Sequence, residues 1–267
     1  DYSVFKKAKK EMALYREEAR KIFEGAKQEM RKDKVSHKLE KLKNNNKWFY
    51  TTFYRMSAIP EEEIKEAVRR IKNYSHLIDN SPIPPQILEG IIFVESKGIA
   101  DAVSPTGCAG LGQLAKSTAK AYGAIINSKR DDRKNPKKCI EIMGRIWQDY
   151  DRIFHNTEWN IVAYATGFNF TQNLLREYIR RHVGTKKFEK DFKIPLEKAI
   201  INSTIIRKYN LSYEEVKSDN GLWFSKKFFN RNKYYRDLSN YLEKVLVASY
   251  FCMKYSKSCN SSLSFSY

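Results

Sequence analysis

The chain of 267 residues is long enough for one well-packed core with an accessory region, or for two modest domains. Hydrophobic residues make up 42% of it, which excludes a chain disordered throughout. The formal charge of +19 creates a field that favours anionic partners, but does not choose among nucleic acid, anionic lipid and acidic envelope polymers. No apolar run reaches the length of a membrane span, and no signal-peptide pattern is present. Asp1 is not an initiator Met, so a processed form is expected.

Residues 1–46 carry a helical rhythm in which Phe5, Ala8, Met12, Tyr15, Ala19, Ile22, Ala26 and Met30 fall on one stripe. Glu17 and Lys21 form an i,i+4 pair on the polar face, and Asn44 to Asn46 mark a break. This stripe predicts packing on the rest of the chain or on a partner. An aromatic cluster follows, Trp48, Phe49, Tyr50, Phe53 and Tyr54. A second helix is predicted after Pro60, with Glu61, Glu62 and Glu63 in its first turn and Ile64, Val68 and Ile71 on its buried face. The prolines between Ser81 and Pro85 signal a boundary. Ile87 to Ser96 then reads as a strongly apolar helix, and Gly107, Gly110 and Gly112 mark a turn-rich segment. Helical rhythm returns over 113–122, 136–154 and 158–166, while strand-like alternation is scarce throughout. The fold class predicted is mainly α.

Glu95 stands out on physical grounds. It follows Ile91, Ile92, Phe93 and Val94 at the C-terminal end of an apolar helix. Apolar surroundings and the negative end of the helix dipole both disfavour its carboxylate, so a raised pKa is expected. A carboxylic acid that keeps its proton near neutral pH suits protonation of a glycosidic oxygen. A glutamate at a helix rim reaching water would fit the same pattern. His37, His76, His155 and His182 show no metal-ligand spacing and HExxH is absent, so no metal or other cofactor is expected. Cys108, Cys139, Cys252 and Cys259 include no CxxC pair. Four free thiols fit these positions, and so do two disulfides, Cys252 with Cys259 and Cys108 with Cys139. The basic residues Arg180, Arg181, Lys186 and Lys187 with His182 read as a solvated face, and no specific nucleic-acid module is evident.

The segment from Glu95-Ser96 through Ala102-Val103-Ser104 and Gly107-Cys-Ala-Gly110-Leu111-Gly112-Gln113-Leu114 to Ser117-Thr118-Ala119 resembles the signature of soluble lytic transglycosylases and goose-type lysozymes. There a Glu-Ser pair is followed by Ala-Val-Ser, Gly-x-x-Gly-Leu-Met-Gln-Leu and Ser-Thr-Ala. Asn135-Pro136 before a helix and Ala163-Tyr164-Ala165-Thr166-Gly167 are similar to the family's later blocks, the second to Ala-Tyr-Asn-Ala-Gly. Asp237-Leu-Ser-Asn-Tyr241-Leu-Glu-Lys-Val245-Leu246 is similar to its closing Glu-Thr-x-x-Tyr-Val-x-x-Val-Leu block. Gly112 and Ala115 stand where the signature has Met, Ala165 where it has Asn, and Asp237 where it has Glu.

The resemblance implies a lysozyme-like catalytic domain over 81–255, preceded by a helical extension over 1–80 and followed by a tail over 256–267. It implies an enzyme, a peptidoglycan lytic transglycosylase, in which Glu95 acts alone as acid and base. The bond cleaved is that between N-acetylmuramic acid and N-acetylglucosamine, and the product is a 1,6-anhydromuramyl end. Ser96, Ser104, Gln113, Tyr164, Asp237 and Tyr241 are expected to contact substrate. The partners implied are peptidoglycan glycan strands and anionic envelope polymers, and the compartment is the periplasm or cell envelope. Hydrolysis by a lysozyme-like muramidase stays open, with Asp101, Asp131, Asp132 or Asp237 as a second carboxylate, as does a wall-binding scaffold without turnover. Residues 168–236 are longer than the corresponding interval of the family and read as an insertion. Two places for it remain open, a surface decoration and a wall of the cleft with Trp223 or Tyr213 stacking on a sugar.

Overall fold

The computed structural model describes residue 52 and residues 55–260. The chain divides into units 1–49 and 50–267, and all described residues belong to the second. The N-terminal stripe from Phe5 to Met30 and the aromatic cluster from Trp48 to Tyr54 lie outside the described residues.

The first helix, α1 (Glu61–Lys72), begins after Pro60, carries its acids in the first turn and Arg69, Arg70 and Lys72 in the last, and buries Ile64, Ala67, Val68 and Ile71. A short α2 (Ser75–Asp79) leads to α3 (Pro85–Ser96), which opens with Pro85. Its missing N–H costs nothing in a first turn. Ile87, Leu88, Gly90, Ile91, Ile92 and Phe93 are all buried, as is Glu89, which pairs with Lys72 of α1 at 2.5 Å, so α3 forms the centre of the core. The turn-rich segment follows, then α4 (Lys116–Ala121) and a 3₁₀ turn, Asp132–Lys134. The predicted helix over 113–122 is thus shorter than its rhythm, because Gln113 and Leu114 belong to the turn, where Leu114 bridges Ala109.

Helix α5 (Pro136–Phe154) starts on Asn135, whose side chain accepts from the Lys138 N–H at 3.0 Å. Helix α6 (Thr157–Thr166) starts on Asn156 in the same way. Next come α7 (Phe168–His182), α8 (Thr185–Phe192), α9 (Ser203–Lys208), α10 (Tyr213–Ser218), α11 (Asn220–Trp223) and α12 (Lys233–Leu238). The last, α13 (Tyr241–Asn260), runs past residue 256. Among the described residues the β-pairing consists of isolated bridges, and the fold is mainly α. No helix among them is long and apolar enough to cross a membrane.

Helix α13 lies along α3 over its most extensive contact and also packs on α1 and α6. Residues 168–236 fold against this core. Phe188, Leu196, Ile201, Ile205, Val216, Leu222, Phe228 and Phe229 are buried, whereas Ile194 and Ile200 stay exposed. Arg180 pairs with Glu177 and Glu197, Arg181 with Glu177 and Asp219, and His182 with Asp219. These basic residues therefore tie the insertion together as well as facing solvent.

Cys108, Cys139 and Cys252 are free thiols. This corrects both disulfides considered from the sequence. Cys252 and Cys259 also sit in one continuous helix, α13, where seven residues of rise separate them by about 10 Å, beyond the span a disulfide bridges.

Helices α3 and α13 approach closely at Gly90. A Cβ there would stand 2.3 Å from Ser249 Oγ and 2.5 Å from the Val245 carbonyl oxygen, and the latter is backbone that cannot step aside. Gly90→Ala is therefore expected to destabilise the fold by about 1–3 kcal/mol through overpacking. For a unit of this size that is on the order of 3–10 °C in Tm. A thermal melt superimposable on wild type would contradict the close approach.

Candidate active site

Glu95 is the penultimate residue of the buried helix α3, which ends on Lys97 in the left-handed conformation at φ 51°. Its side chain is half-buried, open enough to meet a ligand while its carboxyl is packed among protein atoms. Burial pushes its pKa up to about 7, against two opposing influences, a hydrogen bond from Tyr241 and the positive charge of Lys244. Tyr241 Oη donates directly to Glu95 Oε1. Tyr241 is the first residue of α13 and is itself buried, so the contact exists because α13 lies along α3. Lys244 lies one turn further along α13 and donates through Nζ to the Asp237 carbonyl oxygen at 2.6 Å. Burial and the neighbouring Arg55 lower its pKa, and the nearby acids, Asp237 first, raise it.

The turn-rich loop closes over the end of α3. Ser96 Oγ donates to the Ile92 and Leu111 carbonyl oxygens at 3.1 and 2.9 Å and is buried. Its hydroxyl pins the loop to the helix. Gln113 has φ 45° and donates through Nε2 to the carbonyl oxygens of Ala102 and Gly110, each at 3.1 Å. Ser104 Oγ accepts from the Cys108 N–H at 3.0 Å and shares a hydrogen bond with Thr106, which shapes the turn they enclose. Arg133, not anticipated from sequence, is buried beneath this loop. Its guanidinium pairs with Asp131 through Nε at 2.9 Å and Nη2 at 2.7 Å, and Nη1 donates to the Gly107 and Leu114 carbonyl oxygens. Gly110 has φ 86° and runs so close to Arg133 that a Cβ would collide with its carbonyl.

Tyr164 of α6 reaches the same loop, donating to the Gly112 carbonyl oxygen at 2.8 Å. Burial holds its hydroxyl well above the ordinary tyrosine range, and the charge of Glu95 adds to that. A Cβ at Gly112 would lie 2.4 Å from Tyr164 Oη and 2.6 Å from Met143 Sδ. Met143 of α5 thus fills the floor at the position where the resembled signature places a Met side chain. Neighbouring Cys139 is buried, which pushes its thiol up to about 11 and leaves it an inert packing group.

Of the carboxylates weighed as a second acid, two are committed to other partners. Asp131 is held by Arg133. Asp132 accepts from the Ile125 N–H at 2.8 Å and from Arg130 at 2.5 Å. Asp101 and Asp237 are exposed. Among the described residues no carboxylate acts electrostatically on Glu95. Nor do they contain a cluster of three His, Cys, Asp or Glu that could hold a metal ion. The sugar-stacking role considered for Trp223 and Tyr213 is overturned, since each is only 1% exposed.

The structure therefore brings together Glu95, Tyr241, Tyr164 and the loop held by Ser96 and Gln113. Asp237 reaches Lys244 both through its backbone carbonyl and through its carboxylate charge. Sequence reasoning passed over Lys244, although its position one turn after Tyr241 places it on nearly the same face.

Residues 75–186 match the family model of the Transglycosylase SLT domain. The match, together with the mainly helical architecture, is consistent with the lysozyme-like fold that the motifs implied, and it supports lytic transglycosylase activity in general terms. The match contains Glu95, Gln113 and Tyr164, while Tyr241 and Lys244 lie beyond it. No curated protein matches the chain significantly.

The raised pKa has a sign that stability measurements can read. Folding lifts the Glu95 carboxyl from 4.5 to about 7, so the folded state holds this proton more tightly than the unfolded one. Glu95 therefore favours the fold most at low pH, and this contribution is lost as pH rises between those values. Glu95→Gln removes this dependence, so the variant is expected to gain stability relative to wild type from pH 4 to pH 8. Denaturant melts at the two pH values check it, and parallel shifts for both proteins would contradict the assignment. Tyr241→Phe removes a hydrogen bond that lowers the pKa, and is expected to raise the Glu95 pKa as read by NMR.

Proposed function

We propose that this protein is a lytic transglycosylase of peptidoglycan in which Glu95 alone supplies acid and base. The observation that carries the reading is the Glu95 carboxyl itself. It is poised near neutrality, bonded to the Tyr241 hydroxyl, and no other carboxylate acts on it among the described residues. The SLT-domain match supports the substrate class.

A pKa of about 7 suits a group that must both give and take a proton. In the first half of the reaction the protonated Glu95 donates to the oxygen linking N-acetylmuramic acid to N-acetylglucosamine, and the C1–O bond breaks. The N-acetylglucosamine side leaves with that proton. In the second half the ionised Glu95 accepts the proton of the muramyl 6-hydroxyl, whose oxygen bonds to C1. The carboxyl is regenerated and a 1,6-anhydro end remains, with no water consumed. Tyr241 stabilises the ionised form between the two halves by donating to Oε1. Lys244 adds positive charge on the same side. An ordinary glycosidase pairs two carboxylates across the bond; of the candidates here, Asp131 is held by Arg133 and Asp132 by Arg130 and the Ile125 N–H.

Digestion of purified sacculi followed by mass analysis tests the reaction. Anhydromuramyl ends are expected; reducing ends would mean hydrolysis, and no new ends would mean a binding protein. Glu95→Gln is expected to lower the rate by about a thousandfold or more, since the amide has no proton to give. Substantial turnover by the clean variant would remove Glu95 from its role.

We place this activity in the periplasm or cell envelope, where the substrate lies. The +19 charge fits the phosphate- and carboxylate-bearing polymers found there. Binding to sacculi is expected to weaken by several-fold between about 50 and 300 mM salt as exposed charges are screened. Co-sedimentation that is flat across that range would contradict an electrostatic contribution.

A further inference from the structure

A buried ion pair joins the insertion to the helix that carries Tyr241. Lys217 of α10 donates through Nζ to Glu243 Oε1 at 2.5 Å and to Tyr213 Oη at 3.0 Å. Tyr213 Oη donates in turn to Glu243 Oε2 at 2.9 Å. Lys217, Tyr213 and Glu243 are at most 2% exposed. The Lys217 ammonium also lies over the Tyr213 and Trp223 rings, 5.2 and 5.6 Å from their centroids. Trp159 packs edgewise on Tyr213 and donates through Nε1 to the Leu211 carbonyl oxygen at 2.8 Å, which fixes the cage from the α6 side.

Apolar residues of similar size would commonly hold such a place at least as stably, because two desolvated charges recover little beyond their own desolvation. What the pair adds is direction. Each residue of a helix turns by about 100°, so Glu243 points away from Tyr241 on the opposite side of α13. The first turn of α13 is therefore gripped from both sides, by Glu95 through Tyr241 and by Lys217 and Tyr213 through Glu243. A further tie, from Lys244 Nζ to the carbonyl of Asp237 just beyond the insertion, holds the same turn.

We propose that Lys217 and Glu243 are positioning residues, which fix the rotation of the first turn of α13 so that Tyr241 and Lys244 face Glu95. The insertion then acts on the reaction through the back of the site. The inference rests on the reading of Glu95 as the acid. The charged and titratable groups found to act on Glu95 or respond to it are Tyr241 and Lys244 from α13 and Tyr164 from α6. Neither member of the pair is among them, so any effect of the pair must be transmitted.

The test uses the whole chain with ¹³C-labelled glutamate, comparing wild type, the double variant Lys217→Met with Glu243→Met, Tyr241→Phe, and the triple variant. The Glu95 pKa is read by NMR without substrate, beside kcat and KM on glycan strands and a thermal melt. In the double variant the melt is expected to stay near wild type, because no unpaired charge is left behind. The Glu95 pKa should rise by about half a unit to one unit, toward that of Tyr241→Phe, as its hydrogen bond loosens. The value of kcat should fall about tenfold with KM within twofold, as for a misplaced catalytic group. Adding Tyr241→Phe should then change little further, because both substitutions act through one hydroxyl. A folded double variant with unchanged Glu95 pKa and kcat overturns the proposal, and so do effects that add fully to those of Tyr241→Phe. If the double variant does not fold, Glu243→Gln, which keeps the shape, is expected to move the Glu95 pKa in the same direction, and no movement overturns the proposal. The NMR reading needs no turnover. An inactive wild type would thus count against the function while the coupling to Glu95 is still decided.

Discussion

The hydrogen bond between Tyr241 and Glu95 joins residues 146 positions apart in the chain, and the rest of the fold is arranged around it. A carboxyl at the end of an apolar helix is driven toward its neutral form by burial. Left to that alone it would hold its proton too tightly to serve as a base. The Tyr241 hydroxyl and the Lys244 charge pull the other way, and the balance falls near neutrality. That balance needs α13 pressed along α3, and the press is possible because Gly90 has no side chain. The setting of the Glu95 carboxyl therefore depends on a helix–helix contact as directly as on its own place in the chain.

The loop after Glu95 obeys a different constraint. It is a run of turns with little regular pairing, so its carbonyl groups need partners from elsewhere. Ser96, Gln113, Tyr164 and Arg133 supply them, and each does so with a side chain whose polar atoms would otherwise be available to a ligand. Residues that look like a binding inventory are in good part the scaffold of the loop. The same packing sets Met143 against Gly112.

The insertion illustrates how burial assigns roles. Its aromatic residues are plentiful enough to line a sugar groove, yet Tyr213 and Trp223 are inside, stacked around a lysine and against Phe229. An aromatic cage around a cation is a costly arrangement to desolvate unless the cation is paired. The acid that pairs it belongs to α13, so the insertion is fastened to the helix that completes the site.

Much of this was legible in the sequence. Helical periodicity located α1, α3, α5 and α6 nearly to the residue, because Pro, Asn and charged first turns punctuate them. The apolar run before Glu95 pointed to a raised pKa, since an acid at the end of an apolar helix is expected to be carried into the core with it. Spacing of the Glu-Ser, Gly-rich and Tyr blocks implied the family. What the sequence could not show is which side chain a buried group meets across the fold. That Ser96 and Gln113 also bind the carbonyl groups of the loop was not legible, because a hydroxyl or an amide carries no mark of which way it turns. Trp223 and Tyr213 looked available because an aromatic serves a core and a groove equally well. Lys217 and Glu243, twenty-six positions apart, give no local signal of pairing. The sequence by itself determined the helices, the acid and its apolar setting, all of which are local properties. Only the tertiary structure decided what answers that acid, because desolvation and hydrogen-bond partnership depend on distances between segments that the chain order does not contain.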